Sequence, residues 1–222
     1  MPPTIILVRH AQALHNVDNK LPRPLSLGRK QCAELKVKLV PRIPKDLDVG
    51  LIIVSPMKRT IETALLAFGD LIQRGVPIVA HAGWQENSLQ PCDIGSPLPS
   101  LPALFPQVDF SQVDPLYPDK TSPAASAIYG YSRQAIVGRG QSVLAELHAR
   151  PEKAVLVVSH SSFLRVGVTG HFFMNAFLLN QWAETRGGGV GWNGEETVPL
   201  GDGLPDVQGA VDSEGGRGDG VV

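Results

Sequence analysis

Two short runs do most to decide what this chain can fold into: Thr4-Ile5-Ile6-Leu7-Val8, ending in Arg9-His10, and Ala154-Val155-Leu156-Val157-Val158, ending in Ser159-His160. Consecutive apolar residues with no polar alternation suit strands buried on both faces, the condition of a parallel sheet covered by helices. Leu51-Ile52-Ile53-Val54 repeats the pattern before Ser55-Pro56, and residues 77–82 read as a further strand. Helical spacing fills the intervals. Ser26 can cap a helix over 27–40, stopped by Pro41 and Pro44; residues 57–72 place Ile61, Ala64, Leu65 and Phe68 on one face; and 128–149 contains a third helix. Strands alternating with helices predict βαβ units in a three-layer α/β/α fold around a mostly parallel central sheet.

The 222 residues suffice for one well-buried domain, assigned here to 1–186. Within it, 95–127 is dense in proline and nearly aperiodic, which predicts a surface insertion or lid. Residues 187–222 are rich in glycine and acids and are expected to form a partly disordered tail. With 43% hydrophobic and 18% charged residues and a net charge of -1, nothing favours nucleic acid. The apolar run at Ile5 is too short for a membrane span or a signal peptide, so a cytoplasmic protein without membrane attachment is expected. Cys32 and Cys92 are too few for a disulfide framework. A small molecule is the expected partner, and a homodimer is compatible with the composition.

The carboxyl ends of parallel strands share one edge, the usual ligand crevice of such sheets. His10 and His160 can therefore meet there although 150 positions separate them, and Arg59, early in the helix after the second strand, falls on the same edge. Two histidines with Arg9 and Arg59 describe an oxyanion pocket, in which the arginines offer planar forks and an imidazole can act as nucleophile. The pocket needs these four side chains on one edge, with the His10 imidazole within reach of solvent. A metal is the rival use of the six histidines. However, His10 and His15 are five apart, no His-Glu-x-x-His helix occurs, and carboxylates are absent beside His10 and His160, so neither metal nor cofactor is expected.

These segments resemble the histidine phosphatase superfamily, the phosphoglycerate-mutase-like enzymes. Arg9-His10-Ala11-Gln12 is similar to the family's Arg-His-Gly-Glu/Gln signature, with Asn16 at its Asn position, and Pro24-Leu25-Ser26-Leu27-Gly28-Arg29-Lys30-Gln31 is similar to its following helix start. The segment Ser55-Pro56-Met57-Lys58-Arg59-Thr60 looks like the one bearing its second arginine, and Ser159-His160-Ser161-Ser162 like the block with its second histidine. The resemblance implies that His10 is phosphorylated during turnover, that Arg9, Arg59 and His160 hold phosphate oxygens, and that Asn16 adds a polar contact. It also places an acid after the third strand. Glu86 is the candidate there, with Asp93 second, to protonate the leaving group and then activate water. Two positions depart from the pattern. Ala11 replaces a glycine, and Ser161 stands where many members have glycine, its hydroxyl able to contact phosphate or narrow the pocket.

The expected activity is hydrolysis of a small-molecule phosphate monoester through a phosphohistidine. Phosphoglycerate-type mutases resemble it, but their counterpart of 86–132 is rich in Arg and Lys, whereas here Lys120 is the only such residue before Arg133. A neutral or apolar leaving group is therefore expected, against a lid lined by Leu98, Leu101, Leu104, Phe105, Phe110, Leu116 and Tyr117. The alternative is a member repurposed for lyase or isomerase chemistry on an anion.

Overall fold

A computed structural model describes residues 2–13, 24–38, 47–170, 178–186 and 189–198. Strand β1 (Thr4–Arg9) leads to helix α1 (Pro24–Lys38), and β2 (Val49–Val54) leads to α2 (Lys58–Ala67), α3 (Gly69–Gln73) and β3 (Ile78–Ala80). After a run of short helical turns come α4 (Leu101–Leu104), α5 (Pro123–Tyr129), α6 (Arg133–His148) and β4 (Ala154–Ser159). The chain continues through α7 (Ser161–Phe163), a π-helical turn (Leu164–Thr169), β5 (Leu178–Arg186) and β6 (Gly189–Val198). The sheet order is β3-β2-β4-β1-β5-β6, with the first four strands parallel and β5 and β6 added antiparallel.

The unbroken apolar runs are explained by burial on both sides. Ile6 and Val8 of β1 enter one layer with Cys32, Leu35, Ile61 and Ala64, while Ile5 and Leu7 enter the other with Ile136, Val143, Leu147 and Phe163. Thus α1, α2 and α5 cover one face, and α6 with α7 the other, as the three-layer reading expects. Ser132 caps α6, its hydroxyl accepting from the Ala135 amide at 3.1 Å. Among the described residues no helix is long and apolar enough to cross a membrane.

The expected helix over 57–72 is two helices, separated at Phe68, whose φ of -116° and ψ of 19° end α2 while its buried ring holds the join in the core. The 95–127 stretch packs onto the core. Leu101, Phe105, Val108, Phe110, Val113 and Tyr117 are buried in the larger core cluster, with Leu98 and Leu116 packed on it; of the supposed lid residues only Leu104 is exposed. Its helical turns are too short to display a period, so the sequence reads as aperiodic although it packs. Around Asp109 the main chain pairs with β3, Ala80 N donating to Asp109 O at 2.8 Å and Asp109 N to Ile78 O at 2.9 Å, so the segment covers an edge strand. Main-chain pairing of β6 with β5 continues the sheet to Val198, within the stretch read from the sequence as a tail, without needing apolar side chains.

Candidate active site

Spatial order places β4 between β1 and β2, and the loops leaving these three strands build the site. The ladder runs one residue past the strands: His10 N donates to Ser159 O at 3.0 Å and Ser55 N to Val158 O at 3.1 Å. His10 and His160 therefore emerge side by side, their ring centroids 5.1 Å apart at an interplanar angle of 62°. Arg59, in the first turn of α2, donates from Nε to His160 Nδ1 at 3.2 Å. Arg9 closes the group, since its charge acts on both Glu86 and Arg59.

Hydrogen bonding assigns the imidazole tautomers. His10 Nδ1 lies 2.7 Å from Ala11 O, a carbonyl that can only accept, so Nδ1 carries the proton and the ring's lone pair is on Nε2. In His160 the order is reversed. Nδ1 accepts from Arg59, so the neutral ring bears its proton on Nε2 and donates it to Ser55 Oγ at 2.9 Å. The Ala11 amide donates to Thr63 Oγ1 at 3.0 Å, and Thr63 in turn donates to Arg59 O at 2.6 Å, which joins the strand end to α2.

The convergence requirement is met, but exposure of His10 is not: it is 2% accessible and His160 0%. The rings pack against one another and against Arg59, whose Nη1 donates to Cys92 O at 2.6 Å and Nη2 to Asp93 Oδ1 at 3.1 Å. Beside them lies a cavity of about 630 Å³ lined by Ala11, Arg59, Met57, Leu65, Leu66 and Ile94, among others. Of the residues around the buried rings, Ala11 and Arg59 line this cavity, and neither imidazole does.

Glu86 lies in this cluster, buried, and does something its sequence context did not show. Its Oε1 accepts from the amides of Asn87 at 2.9 Å and Phe163 at 3.0 Å, and Oε2 from that of Ser162 at 3.3 Å. It thereby caps the first turn of the helix that follows His160. Burial pushes its carboxyl above the usual range, outweighing the lowering by the Asn87 and Ser162 amides and by Arg59. Asp93, the second acid candidate, is bonded to Arg59 and to Ser88 Oγ, the latter at 2.6 Å. Ser161 follows His160 at the start of α7 and is partly buried. Asn16 lies outside the described residues.

Several neighbours escaped the sequence reading. Ser55 belongs to the strand-end pattern and could have been found by it; Asn87 and Arg139 could not. Asn87 donates to Ser162 Oγ at 3.0 Å and accepts from Arg139 Nη2 at 2.6 Å. Arg139 is buried with its guanidinium carbon 4.2 Å from the Phe163 ring centroid, and burial pulls it down to about 10. Burial likewise lowers Arg9 and Arg59 from their ordinary range, opposed chiefly by Glu86 and Asp93 respectively. The cluster thus sets Arg9, Arg59, Lys120 and Arg139 against two carboxylates, a field suited to an anion.

A protein of Schizosaccharomyces pombe named as a probable phosphatase is 34% identical over 173 residues, covering 73% of this chain and 76% of its own. A phosphoglycerate mutase-like protein of Arabidopsis thaliana is 32% identical over 205 residues, covering 72% of each. The alpha-ribazole phosphatase from Shigella flexneri superposes with a TM-score of 0.54 at 16% identity, covering 91% of this chain and all of that one, a likeness of fold. The family model for branch 1 of the histidine phosphatases matches residues 5–180, which take in both strand-end histidines and every element between them, and the chain belongs to the histidine phosphatase superfamily.

Proposed function

We propose that the chain is a metal-independent phosphatase that hydrolyses a small-molecule phosphate monoester through a phosphohistidine at His10. The observation that carries this reading is the bond from His10 Nδ1 to Ala11 O at 2.7 Å, which leaves the Nε2 lone pair as nucleophile among the arginines. The Nε2 atom attacks phosphorus while the bond to the ester oxygen breaks. Arg9 and Arg59 hold the charge spread over the equatorial oxygens, joined by Ser161 and Asn16, and His160 joins them by giving its Nε2–H to the phosphate in place of Ser55 Oγ. Glu86, whose carboxyl burial raises above its usual range, gives its proton to the departing alkoxide. It then takes a proton from water as the oxygen attacks phosphorus and the phosphorus–nitrogen bond breaks, releasing inorganic phosphate and free His10.

A neutral or apolar leaving group is supported by Met57, Leu65, Leu66 and Ile94 in the cavity lining, which also carries the charged Arg29, Lys58, Arg59 and Glu62. Lys120 speaks against a mutase, which must hold a second anionic group. It is buried, and its ammonium already serves three main-chain carbonyls. Incubation with a labelled phosphate ester, quenched into alkaline denaturant that preserves phosphohistidine, should trap label on the protein and none on His10→Ala. Absence of trapped label, with no phosphate released from a panel of esters, would favour lyase or isomerase chemistry instead. Preference for bis-anionic sugar phosphates over apolar esters would remove the substrate assignment.

A further inference from the structure

The loop from Glu86 to Asp93 carries the proposed acid at one end and the carboxylate bonded to Arg59 at the other, and it has no regular structure before the short turn Pro91–Asp93. Besides Arg59 at Cys92 and Asp93 and Arg139 at Asn87, one side chain from a distant segment ties its two ends together. Lys120 Nζ donates to Glu86 O at 2.6 Å, Ser88 O at 2.9 Å and Asp93 O at 2.7 Å. An ammonium has three donors, and here all three are spent on one loop, at its two ends and in its middle.

Lys120 is itself held firmly. Just before it, Asp119 Oδ1 accepts from the amides of Thr121 at 2.8 Å and Ser122 at 3.2 Å, and Tyr117 donates from its hydroxyl to Pro56 O at 3.0 Å, beside the start of α2. The side chain is 2% exposed. The charge is held there against its own solvation, because burial pushes the ammonium down to about 8, with Arg139 and Arg59 adding to the shift and Asp93 and Glu86 opposing it. With the folded value below the unfolded one, keeping Lys120 charged costs stability at neutral pH, and the cost is relieved as pH rises past about 8. A charge maintained at that expense is explained by what it positions rather than by stability.

We propose that Lys120 is a positioning residue for phosphoryl transfer, its buried ammonium fixing the 86–93 loop so that Glu86 meets the leaving oxygen while Asp93 orients Arg59. The inference rests on the phosphatase reading, and its test separates the two. Lys120→Met and Lys120→Arg are compared with wild type by amide hydrogen exchange across 86–93, and by hydrolysis of two esters that differ in their need for a proton. One is an alkyl phosphate; the other is 2,4-dinitrophenyl phosphate, whose phenolate leaves unprotonated.

Exchange across 86–93 should quicken in Lys120→Met while the β-strands keep their protection. The alkyl ester should lose at least about tenfold more kcat/KM, which reads phosphohistidine formation, than the dinitrophenyl ester, since general acid catalysis contributes roughly 10² to 10⁴ and only the first ester's leaving group depends on it. Lys120→Arg, which keeps the charge but not the tetrahedral fit, should recover part of the alkyl-ester rate. If Lys120→Met does not fold, the partial loss in Lys120→Arg, confined to the alkyl ester, carries the same test. Unchanged exchange in 86–93, or equal losses on both esters, would overturn the proposal. Quickened exchange in a protein whose wild type hydrolyses neither ester would instead bring down the phosphatase reading, and the catalytic half of this inference with it.

Discussion

Helix α6 contains two glycines two residues apart that should respond to alanine in opposite directions. At Gly138, which is exposed, an added Cβ meets nothing within 4 Å. At Gly140 it would lie 1.8 Å from Gly167 O and 2.5 Å from Gly167 C, in the π-helical turn behind His160. Alanine in a helix interior is favoured over glycine by about 0.8–1 kcal/mol, a gain available at both positions. At Gly140 the methyl must push main chain away by more than 1 Å to reach the 3.0 Å that real contacts respect, and overpacking of this kind costs about 1–3 kcal/mol or more. The clash wins at Gly140 and propensity wins at Gly138. For a domain of this size, at about 2–4 °C per kcal/mol, Gly138→Ala should raise Tm by about 2–4 °C and Gly140→Ala should lower it by several degrees. Activity separates them further, because the turn that Gly140→Ala displaces continues from Ser162 and Phe163, whose amides bind Glu86. Thermal unfolding with initial rates on an alkyl phosphate gives both numbers. Equal stabilisation by the two alanines would show that α6 does not approach the His160 helix this closely, and the placement of Glu86 argued from that helix would fail.

Four further outcomes follow from the site. Glu86→Gln keeps an acceptor for the Asn87 and Phe163 amides and should fold, while losing roughly 10² to 10⁴ in kcat on alkyl esters. Since the proton is needed for the first step and burial raises Glu86, the wild-type rate of phosphohistidine formation should fall as pH rises through that elevated value, and the fall should be absent from the variant in rapid-quench measurements. Ser55→Ala strips the acceptor from His160 Nε2–H, so denaturant titration should report a loss of about 1–3 kcal/mol, and an unaltered midpoint would contradict the tautomer assigned here. Arg59→Met removes a fork that bonds His160 and should weaken competitive inhibition by inorganic phosphate by about ten- to a hundredfold, the worth of roughly 1.5–3 kcal/mol for a charged hydrogen bond; an unchanged inhibition constant would exclude Arg59 from the anion site.

The parts of the site that the sequence made legible are those attached to strand ends. Continuous apolar runs identified β1, β2 and β4, and parallel pairing brought the residues after them together, so His10, Arg59 and His160 could be placed without contacts. The environment of Glu86 was hidden because its partners are main-chain amides of a three-residue helix 75 positions away, and main-chain amides carry no sequence signature. Lys120 read as a lone base in a proline-dense stretch; that it spends all three donors on carbonyls depends on a loop fold that no periodicity encodes. The same density of proline made Phe105, Phe110 and Tyr117 look like a lid, when turns too short to repeat carry them into the core. Burial of His10 was unforeseen for a related reason: a strand end marks an edge, but whether that edge is open depends on what Arg59 and the 92–93 turn bring across it.

Strand order also makes the site a property of the whole chain rather than of its first motif. The strand that carries His10 at its end comes first in sequence, but its neighbour in the sheet is β4, the last parallel strand, inserted between β1 and β2. His160, at the end of that central strand, touches the His10 ring on one side and Arg59 and Ser55 on the other. Neither the imidazole pair nor the hydrogen bond that fixes the His160 tautomer can form until β4 has docked. A fragment ending before Ala154 would leave the inner edges of β1 and β2 unpaired, with β1 deprived of six register partners. Contacts this distant along the chain carry a large loop-closure cost, so they are expected late in folding, and phosphate binding should develop with the final docking of β4 rather than with early helix formation.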